Sequence, residues 1–361
     1  MVIKGKKIET NGIRNILLIQ LGDIGDVVLT LPSVRALREH FPRAAIIIAV
    51  RKKAQQLVED CPWVSGVISV DTDKRSLTQE IAHQINFFSG LRKYHFDLAL
   101  DMRRGTRGGV LAFLSGARQR VGFYSYKKGL WRNRLFSHLV SPDKPPDQYM
   151  AEYYLGLLKR YDLNTAKSMP ELPIPREKQE KAAAFLKEEG IPLDRPLIAM
   201  HPFSLWHYKE WRLEKVAQLA GWIWTEYHFP VLIIGSPKER ERAHIIERTG
   251  GRHIFNLAGK TSLDMLGPII KLCTLLIGID SAGIHLAAAV GTSTVSIFGP
   301  SLFPAWAPRG SDHVVVHKQF PCVPCDKKGC NGSEFSLCLE ELTVEEVTHG
   351  VKAQIGKAFE V

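Results

Sequence analysis

The sequence contains no long apolar run. Its first apolar segment, residues 16–21, is interrupted at once by the polar turn GDIGD at 22–26, and no later run approaches the length of a membrane span. A spanning helix needs about 20 consecutive apolar residues, and a signal peptide needs a longer apolar centre than this segment provides. We therefore expect a soluble, cytoplasmic protein whose only contact with a membrane is peripheral.

The sequence is also poor in cysteine, with 6 Cys in 361 residues. Secreted disulfide scaffolds are short and rich in cysteine, so that class is excluded. Four of the six cluster near the C-terminus, at Cys322, Cys325, Cys330 and Cys338. One Cys-x-x-Cys pair fits a zinc knuckle, but the spacing of the second pair is irregular. We favour reduced structural thiols and no cofactor, with a structural zinc as the alternative and an iron–sulfur cluster as a more remote one.

Carboxylates are absent from residues 102–142, which contain nine Arg or Lys and several aromatic residues. Over the whole chain, 48 Lys and Arg outnumber 37 Asp and Glu, for a net charge of +11. A basic chain favours anionic partners such as nucleic acid, a phosphorylated substrate or an acidic membrane surface. Charge runs are usually solvated surface, but a stretch this long predicts a surface for a polyanion, either nucleic acid or a phosphorylated glycolipid.

The length and the apolar pattern predict two α/β domains. In the first half, strands are predicted at 16–21, 45–50, 67–70 and 98–101, where the series closes, with helices at 27–40, 54–60 and 77–93. The proline-rich segment 168–179 is predicted to be the interdomain linker. In the second half, strands are predicted at 197–200, 231–234, 253–255, 275–279 and 294–298, and helices at 213–227, 238–248, 262–273, 284–290 and 343–359. This alternation is typical of doubly wound domains with mostly parallel sheets.

Residues 275–300, LLIGIDSAGIHLAAAVGTSTVSIFGP, carry the strongest motif. A buried strand is followed by Asp280 and a small-residue helix that contains His285, and the next strand ends at Gly299-Pro300. The small residues 281–283 (Ser281, Ala282 and Gly283) allow close approach of the backbone to a ligand. A strand that delivers polar residues to a helix N-terminus predicts a site for an anionic ligand, although a capped helix with one buried His is the simpler alternative.

Two other motifs follow predicted strands. Asp26 enters the first helix after the Gly-x-x-Gly turn, and helix capping alone would explain its presence there. His201 and Ser204 end the first strand of the second half, and Lys209 follows closely. A Lys at a strand end can neutralise phosphate oxygens, but a solvated Lys beside a buried Trp is an equally good interpretation.

Glu239 and the Lys260-Thr261 loop are weaker candidates. A carboxylate at position 239 could accept hydrogen bonds from ribose hydroxyls, or could simply complement the dipole of the helix that it opens. Capping adequately explains the loop at Lys260-Thr261.

Taken in order, these motifs resemble glycosyltransferase family 9, the ADP-heptose:lipopolysaccharide heptosyltransferases, over nearly the whole chain. The segments that carry the resemblance are Gly25-Asp26, Leu31-Pro32, His201-Pro202, Lys209-x-Trp211, the loop from Asn256 to Thr261, Asp280-Ser281, His285-Leu286-Ala287 and Phe298-Gly299-Pro300. Each motif is weak alone, but their joint order and spacing are specific.

The resemblance implies an α/β GT-B fold, in which two Rossmann-like doubly wound domains face each other across a cleft. It implies an acceptor-binding domain at residues 1–170, a domain for the nucleotide sugar at 171–342, and a C-terminal helix at 343–361. It also implies an inverting transfer of heptose, without a metal, from ADP-heptose to the lipopolysaccharide inner core, at the cytoplasmic face of the inner membrane and without a nucleic-acid partner.

The resemblance also implies roles for individual residues. Asp26 would be the general base, and Lys209 would stabilise the departing ADP. The other donor-binding residues would be His201, Ser204, Glu239, Lys260, Thr261, Asp280, Ser281, Ala282, Gly283 and His285. The acceptor would contact the basic residues Arg103, Arg104, Arg107, Arg118 and Arg120.

The chain departs from the family pattern at two places, and two other functions stay open. Phe203 replaces the Gly of a His-Pro-Gly motif, and the Gly of the Asp-Ser-Gly-Pro turn is displaced to Gly283. The first alternative function is a GT-B enzyme that uses another nucleotide sugar for transfer or epimerisation. The second is a non-catalytic nucleic-acid binder that uses the basic residues 102–142.

Overall fold

The computed structural model of the chain describes residues 1–71, 76–126, 131–142, 145 and 147–359. Contacts within the chain divide it into two compact units, Met1–Pro170 and Glu171–Val361. Lys127 and Lys128, which belong to the predicted basic surface, lie outside the described residues. Within the described ranges, none of the helices combines the length and the apolar character that crossing a bilayer requires.

The first unit is a seven-stranded sheet with helices between its strands. The strands are β1 (Val2–Lys4), β2 (Asn15–Gln20), β3 (Ala45–Arg51), β4 (Gly66–Val70), β5 (Leu98–Asp101), β6 (Gln119–Phe123) and β7 (His138–Val140). The helices are α1 (Ile24–His40), α2 (Gln55–Val58), α3 (Leu77–Arg92), α4 (Thr106–Leu114) and α5 (Met150–Lys159). The strand order is β1-β7-β6-β5-β2-β3-β4, and every neighbouring pair is parallel except β1 with β7.

The second unit contains a six-stranded parallel sheet. Its strands are β8 (Ile198–His201), β9 (Val231–Ile233), β10 (Ile254–Asn256), β11 (Leu275–Ile279), β12 (Ser293–Phe298) and β13 (His313–His317). Its helices are α6 (Arg176–Glu188), α7 (Leu213–Tyr227), α8 (Arg240–Gly250), α9 (Leu263–Lys271), α10 (Ala282–Val290), α11 (Phe303–Trp306), α12 (Leu337–Glu340) and α13 (Val344–Phe359). The strand order is β10-β9-β8-β11-β12-β13.

Both sheets reverse their strand order at one point, between β2 and β5 in the first unit and between β8 and β11 in the second. At such a switch point the chain leaves the two central strands toward opposite sides, which opens a crevice at the carboxyl ends of the strands. The loops that follow β2 and β5, and those that follow β8 and β11, are therefore the parts of each unit that the fold offers to a ligand.

The observed elements agree with most of the predicted ones but extend the first sheet. The predicted strand at 98–101 does not close the series, because β6 and β7 continue the sheet beyond it. These strands are short and lie among basic residues, so their apolar pattern is weak. Strand β13 was also not predicted, and α6 begins at Arg176, inside the predicted linker 168–179.

The cores explain why the central strands form. In β2, Ile16, Leu17, Leu18 and Ile19 are all fully buried. A strand covered on both faces reads as a continuous apolar run rather than an alternating one, as in parallel sheets flanked by helices. The second core includes Phe203 and Trp211, which follow β8.

One ion pair in the first unit is completely buried. The guanidinium of Arg132 contacts Asp101 at the end of β5, with 2.7 Å between Nη2 and Oδ2, and both side chains are at most 1% exposed. Arg132 also donates to the backbone carbonyls of Phe123, Gly105 and Arg103. Burial raises the pKa of Asp101 to about 6 against the opposing effect of Arg132. The pair therefore ties the loop after β5 to the end of β6.

This arrangement corrects part of the predicted basic surface. Residues 102–142 do not form one exposed face, because they include α4, β6 and β7, and Arg132 is internal. A count of charges in residues 102–142 does not distinguish a buried Arg from an exposed one. The carboxylate that neutralises Arg132 belongs to Asp101, which lies just before this stretch.

We expect the substitution Arg132→Met to destabilise the first unit by about 3–5 kcal/mol, because it leaves the Asp101 carboxylate buried without a counter-charge. Urea denaturation measures this change in the free energy of unfolding, and hydrogen exchange of the backbone amides of β5 and β6 shows where it occurs. The double variant Asp101→Leu/Arg132→Met should recover much of the loss. Arg134→Met, at an exposed position of the same segment, is the matched control. Equal stability of Arg132→Met and this control would contradict the assigned role.

Candidate functional site

The carboxylate of Asp26 lies at the switch point of the first unit, in the first turn of α1. Its Oδ1 accepts a hydrogen bond from the hydroxyl of Tyr154 at 2.5 Å, and its Oδ2 accepts one from Nη1 of Arg103 at 2.8 Å. The backbone N–H of Asp23 also donates to Oδ2, at 2.9 Å. Burial, together with the nearby carboxylate, holds the pKa of Tyr154 well above its ordinary value, so its hydroxyl keeps the proton that it donates. Asp26 is thus more than a helix cap.

Two cations from the end of β3 pair with the neighbouring carboxylate of Asp23. Arg51 ends β3 and Lys53 follows it, and both contact Oδ1 of Asp23, at 3.2 and 2.5 Å respectively. Partial burial raises the pKa of Asp23, but the hydrogen bond and charge of Lys53 outweigh it and hold that pKa below its ordinary value. The sequence interpretation missed Arg51 and Lys53, although a run of basic residues directly after a predicted strand was a usable signal.

The predicted acceptor residues divide into two groups. Arg103, Arg104 and Arg107 lie on or just after the loop that follows β5, and all three are exposed. Arg118 directly precedes β6 and Arg120 is its second residue. Both lie at the amino edge of the sheet, because Gln119 pairs with Leu98 at the beginning of β5. These two residues therefore lie apart from the first group, and their contact with the acceptor stays a prediction.

Arg120 also makes internal contacts. Its guanidinium donates to the backbone carbonyls of Leu135 and Ala117, both at 2.6 Å, and burial lowers its pKa. Since the carboxyl edge of the sheet carries Asp26, the amino edge that carries Arg118 and Arg120 faces away from it.

The second unit has an ion pair at its own switch point. Lys209, in a short 3₁₀ turn (His207–Lys209) after β8, contacts Asp280 after β11, with 2.6 Å between Nζ and Oδ2. The Asp280 side chain is 7% exposed and that of Lys209 is 23% exposed, so the ammonium is the more accessible partner. The two residues are 71 positions apart in the chain, and the sheet brings them together.

The N-terminus of α10 lies against the end of β8. Nδ1 of His201 is 2.7 Å from Oγ of Ser281, the N-cap residue of α10, and burial lowers the pKa of His201. A Cβ atom at Gly283 would lie only 2.7 Å from the same Nδ1, so the displaced glycine is what allows this close packing. Ala282 begins the helix, and His285 is buried within it, with its ring 6.4 Å from that of Trp306. The predicted donor motif therefore forms one contiguous group.

A buried carboxylate anchors the loop that carries Lys209. Both oxygens of Glu210 accept hydrogen bonds from Arg242 of α8, at 3.0 and 2.6 Å, and Oε1 also accepts the backbone N–H of Ser204. Burial raises the pKa of Glu210, but the bonds from Arg242 and Ser204 outweigh it and lower that pKa below its ordinary value. The sequence interpretation missed both Glu210 and Arg242, and no sequence signal links two residues this far apart.

The remaining donor candidates occupy neighbouring loops. Glu239 closes its own 3₁₀ turn by accepting the N–H of Ser236, and the N–H of Gly259 donates to the carbonyl of Gly235, which joins the two loops. Lys260 forms an ion pair with Glu189 at 2.5 Å, and Thr261 follows it at the helix entrance.

Phe203 does not face a ligand. Its side chain is fully buried, close to Gly235, and the guanidinium of Arg242 lies 5.2 Å from the centre of its ring. The bulky Phe203, which replaces the Gly of the family motif, is therefore accommodated in the second hydrophobic core.

The four C-terminal cysteines have different environments. Cys338 is buried in the second core, and burial raises its pKa to about 11, whereas Cys322 and Cys330 are exposed. Across the residues that the structure describes, no three His, Cys, Asp or Glu side chains come together so as to hold a metal ion.

Comparison with known proteins identifies relatives of the whole chain. The family model described as Glycosyltransferase family 9 (heptosyltransferase) matches residues 85–335. Lipopolysaccharide heptosyltransferase 2 of Escherichia coli K12 is 24% identical over 349 residues, which cover 94% of this chain and 97% of that protein.

Two solved structures share the architecture. The glycosyl transferase family 9 structure from Veillonella parvula has a TM-score of 0.81 at 22% identity, and the match covers 98% of this chain and 100% of that one. The structure of E. coli ADP-heptose LPS heptosyltransferase II has a TM-score of 0.78 at 21% identity, with coverage of 95% and 99%. This likeness confirms the predicted GT-B fold with Rossmann-like domains.

We expect the Glu210–Arg242 pair to stabilise the protein in a pH-dependent way. Because the pKa of Glu210 is lowered on folding, its contribution is complete above the ordinary value of about 4.5 and is lost as the pH falls through the lowered value. Glu210→Gln should cost about 1.5–3 kcal/mol at pH 7, and the difference from wild type should shrink below pH 4.5.

Urea denaturation at pH 7 and pH 4, followed by tryptophan fluorescence, tests this expectation. Glu241→Gln, at an exposed position of α8, is the matched control and should change stability by less than about 0.5 kcal/mol at either pH. A loss in Glu210→Gln that is the same at both pH values would contradict the assigned ion pair.

Proposed function

The chain belongs to glycosyltransferase family 9, and we propose that it transfers heptose from ADP-heptose to the inner core of lipopolysaccharide. The observation that carries the proposal is the environment of Asp26, a buried carboxylate at the carboxyl edge of the sheet that pairs with Arg103, while Arg51 and Lys53 pair with the neighbouring Asp23. A carboxylate in this place can accept a proton, while the cations can hold an anionic acceptor.

We assign acceptor binding to residues 1–170 and donor binding to 171–342, with the C-terminal helix α13 (Val344–Phe359) completing the second unit. In that unit α13 packs on β12 and β13. The cations at the carboxyl ends of β3 and β5 suit the phosphates and acidic sugars of a lipopolysaccharide precursor; they are Arg51, Lys53, Arg103, Arg104 and Arg107. Since that acceptor is a lipid, the enzyme would work at the cytoplasmic face of the inner membrane.

The donor diphosphate would bind at the switch point of the second unit. Lys209 supplies a positive charge there, and the N-terminus of α10 supplies backbone N–H groups at Ala282 and Gly283. Glu239 would accept hydrogen bonds from the ribose, and the Lys260-Thr261 loop would lie near the adenine. His201, Ser204 and Ser281 would shape the pocket around the phosphates, and His285 would support the helix from within.

The reaction would be a single displacement at the anomeric carbon. The acceptor hydroxyl attacks, and Asp26 takes its proton as the new bond from oxygen to carbon forms. The bond from the anomeric carbon to the β-phosphate oxygen breaks at the same time, and its electron pair leaves with ADP. Attack on the face opposite the leaving group inverts the configuration. Lys209 neutralises charge that grows on the diphosphate, and one such preorganised group typically contributes about 10²–10³ in kcat.

We expect Asp26→Asn to lower kcat by about 10²–10⁴, because an amide cannot accept the proton, while the KM for the donor stays nearly unchanged. Transfer from ADP-heptose to a defined inner-core acceptor, followed by mass spectrometry of the product, measures this effect. The control Asp23→Asn removes the same charge from the neighbouring carboxylate but leaves the base Asp26 in place, so its kcat should fall far less. Near-normal turnover in Asp26→Asn would rule out the proposed base.

Thermal unfolding in the presence of nucleotide sugars separates the proposed donor from the alternatives. ADP-heptose at about 100 times its Kd should add about 2.7 kcal/mol of stability and raise Tm by roughly 5–10 °C. UDP- and GDP-sugars should shift Tm little at the same concentration. Lys209→Ala should reduce the shift caused by ADP-heptose. Stronger stabilisation by another nucleotide sugar would favour a different glycosyl transfer or an epimerisation.

A further inference from the structure

The oxygens of Asp26 already accept three hydrogen bonds. Oδ1 accepts the hydroxyl of Tyr154, and Oδ2 accepts both the guanidinium of Arg103 and the N–H of Asp23. The backbone at Gly22 closes one more side, since a Cβ atom at this position would overlap both Oδ2 and Nη1 of Arg103. A substrate hydroxyl that is to give its proton to Oδ2 therefore has to displace one of these donors or crowd in beside them.

Two of the three donors are held in place. The Tyr154 hydroxyl is buried on α5, which packs against α1, and its ring lies 5.7 Å from that of Tyr153. The N–H of Asp23 belongs to the backbone at the start of α1, where Asp23 and Asp26 form a reciprocal capping box. Moving either donor would disturb packing or the helix terminus.

The third donor, Arg103, can move without disturbing the fold. Its side chain is 43% exposed, compared with 11% for that of Asp26. Its backbone is fixed independently, because its N–H donates to Oδ1 of Asp101 and its carbonyl accepts a bond from Arg132. The guanidinium therefore sits on a rigid anchor and can swing while the loop stays in place.

We propose that Arg103 is a positioning and specificity-determining residue that covers the base Asp26 until an anionic group of the acceptor draws its guanidinium away. This inference rests on the proposed role of Asp26. The competing ligand would be a carboxylate or phosphate next to the attacking hydroxyl, which offers Arg103 a new partner as it leaves Oδ2. An uncharged acceptor offers no such partner.

The energetic consequence is a preference for charged acceptors. A hydrogen bond between charged groups is worth a factor of about 10–100 in an equilibrium constant, so an acceptor that cannot replace it is disfavoured by that factor. Arg51 and Lys53 add to the attraction of an anion, but both contact Asp23 rather than Asp26. Arg103 alone among these cations links the charge of the acceptor to the exposure of the base.

The test compares two acceptors in three proteins. One acceptor is an inner-core fragment with its carboxylates intact, and the other is the same fragment with these groups methyl-esterified. For wild type, kcat/KM should be about 10–100 times higher with the charged fragment. In Arg103→Met the charged fragment should lose at least 10-fold, while the esterified fragment should keep its rate or gain several-fold, because Oδ2 is uncovered. Arg103→Lys should restore part of the preference.

Arg160→Met is the matched control. This substitution, at an exposed position just after α5, should leave both rates and their ratio unchanged. Equal losses for both fragments in Arg103→Met, with the ratio preserved, would overturn the inference and leave Arg103 as a structural residue. If wild type transfers heptose to neither fragment, the proposed function fails and this inference fails with it. Activity in wild type with an unchanged ratio in Arg103→Met contradicts the inference alone.

Discussion

The two sites in this protein depend on one constraint, the reversal of strand order in each parallel sheet. The reversal leaves the carboxyl ends of two central strands free of a covering crossover, so the loops after them meet at one edge. In the first unit this brings Asp26 and Arg103 together, and in the second it brings Lys209 and Asp280 together. The pair in the first unit joins the start of α1, after β2, to the loop after β5, and the pair in the second unit joins the loop after β8 to the loop after β11.

A more deeply placed pair supports the cation at each switch point. Asp101 and Arg132 hold the backbone of the Arg103 loop, and Glu210 with Arg242 holds the loop that carries Lys209. A buried ion pair adds little net stability compared with apolar side chains of similar size, but its many directional bonds define one geometry. The supporting pairs therefore matter for the position of the catalytic and binding groups more than for the stability of the domains.

The sequence was a good guide wherever one periodic element carried the signal. The predicted bounds 98–101, 213–227 and 275–279 are those observed for β5, α7 and β11, because each is a long or continuous apolar pattern. Asp26, Lys209 and Asp280 could each be selected because each follows a strand. The same rule would have found Arg51 and Lys53. Arg118 and Arg120 were selected by a count of charges instead, and such a count does not say which end of a strand a residue occupies.

The sequence by itself determined the fold class, the family and the identity of most polar groups at the strand ends, because these depend on local patterns and on motif order. Only the tertiary structure decided which of those groups meet. Glu210 and Arg242 are 32 residues apart, and Tyr154 and Asp26 are 128 apart, so no local pattern records either contact. The carboxylate of Asp26, which the sequence alone explains as a helix cap, is in the structure a buried group that accepts three hydrogen bonds. The physical reason is that sheet topology and packing set the distances between side chains that are remote in the chain.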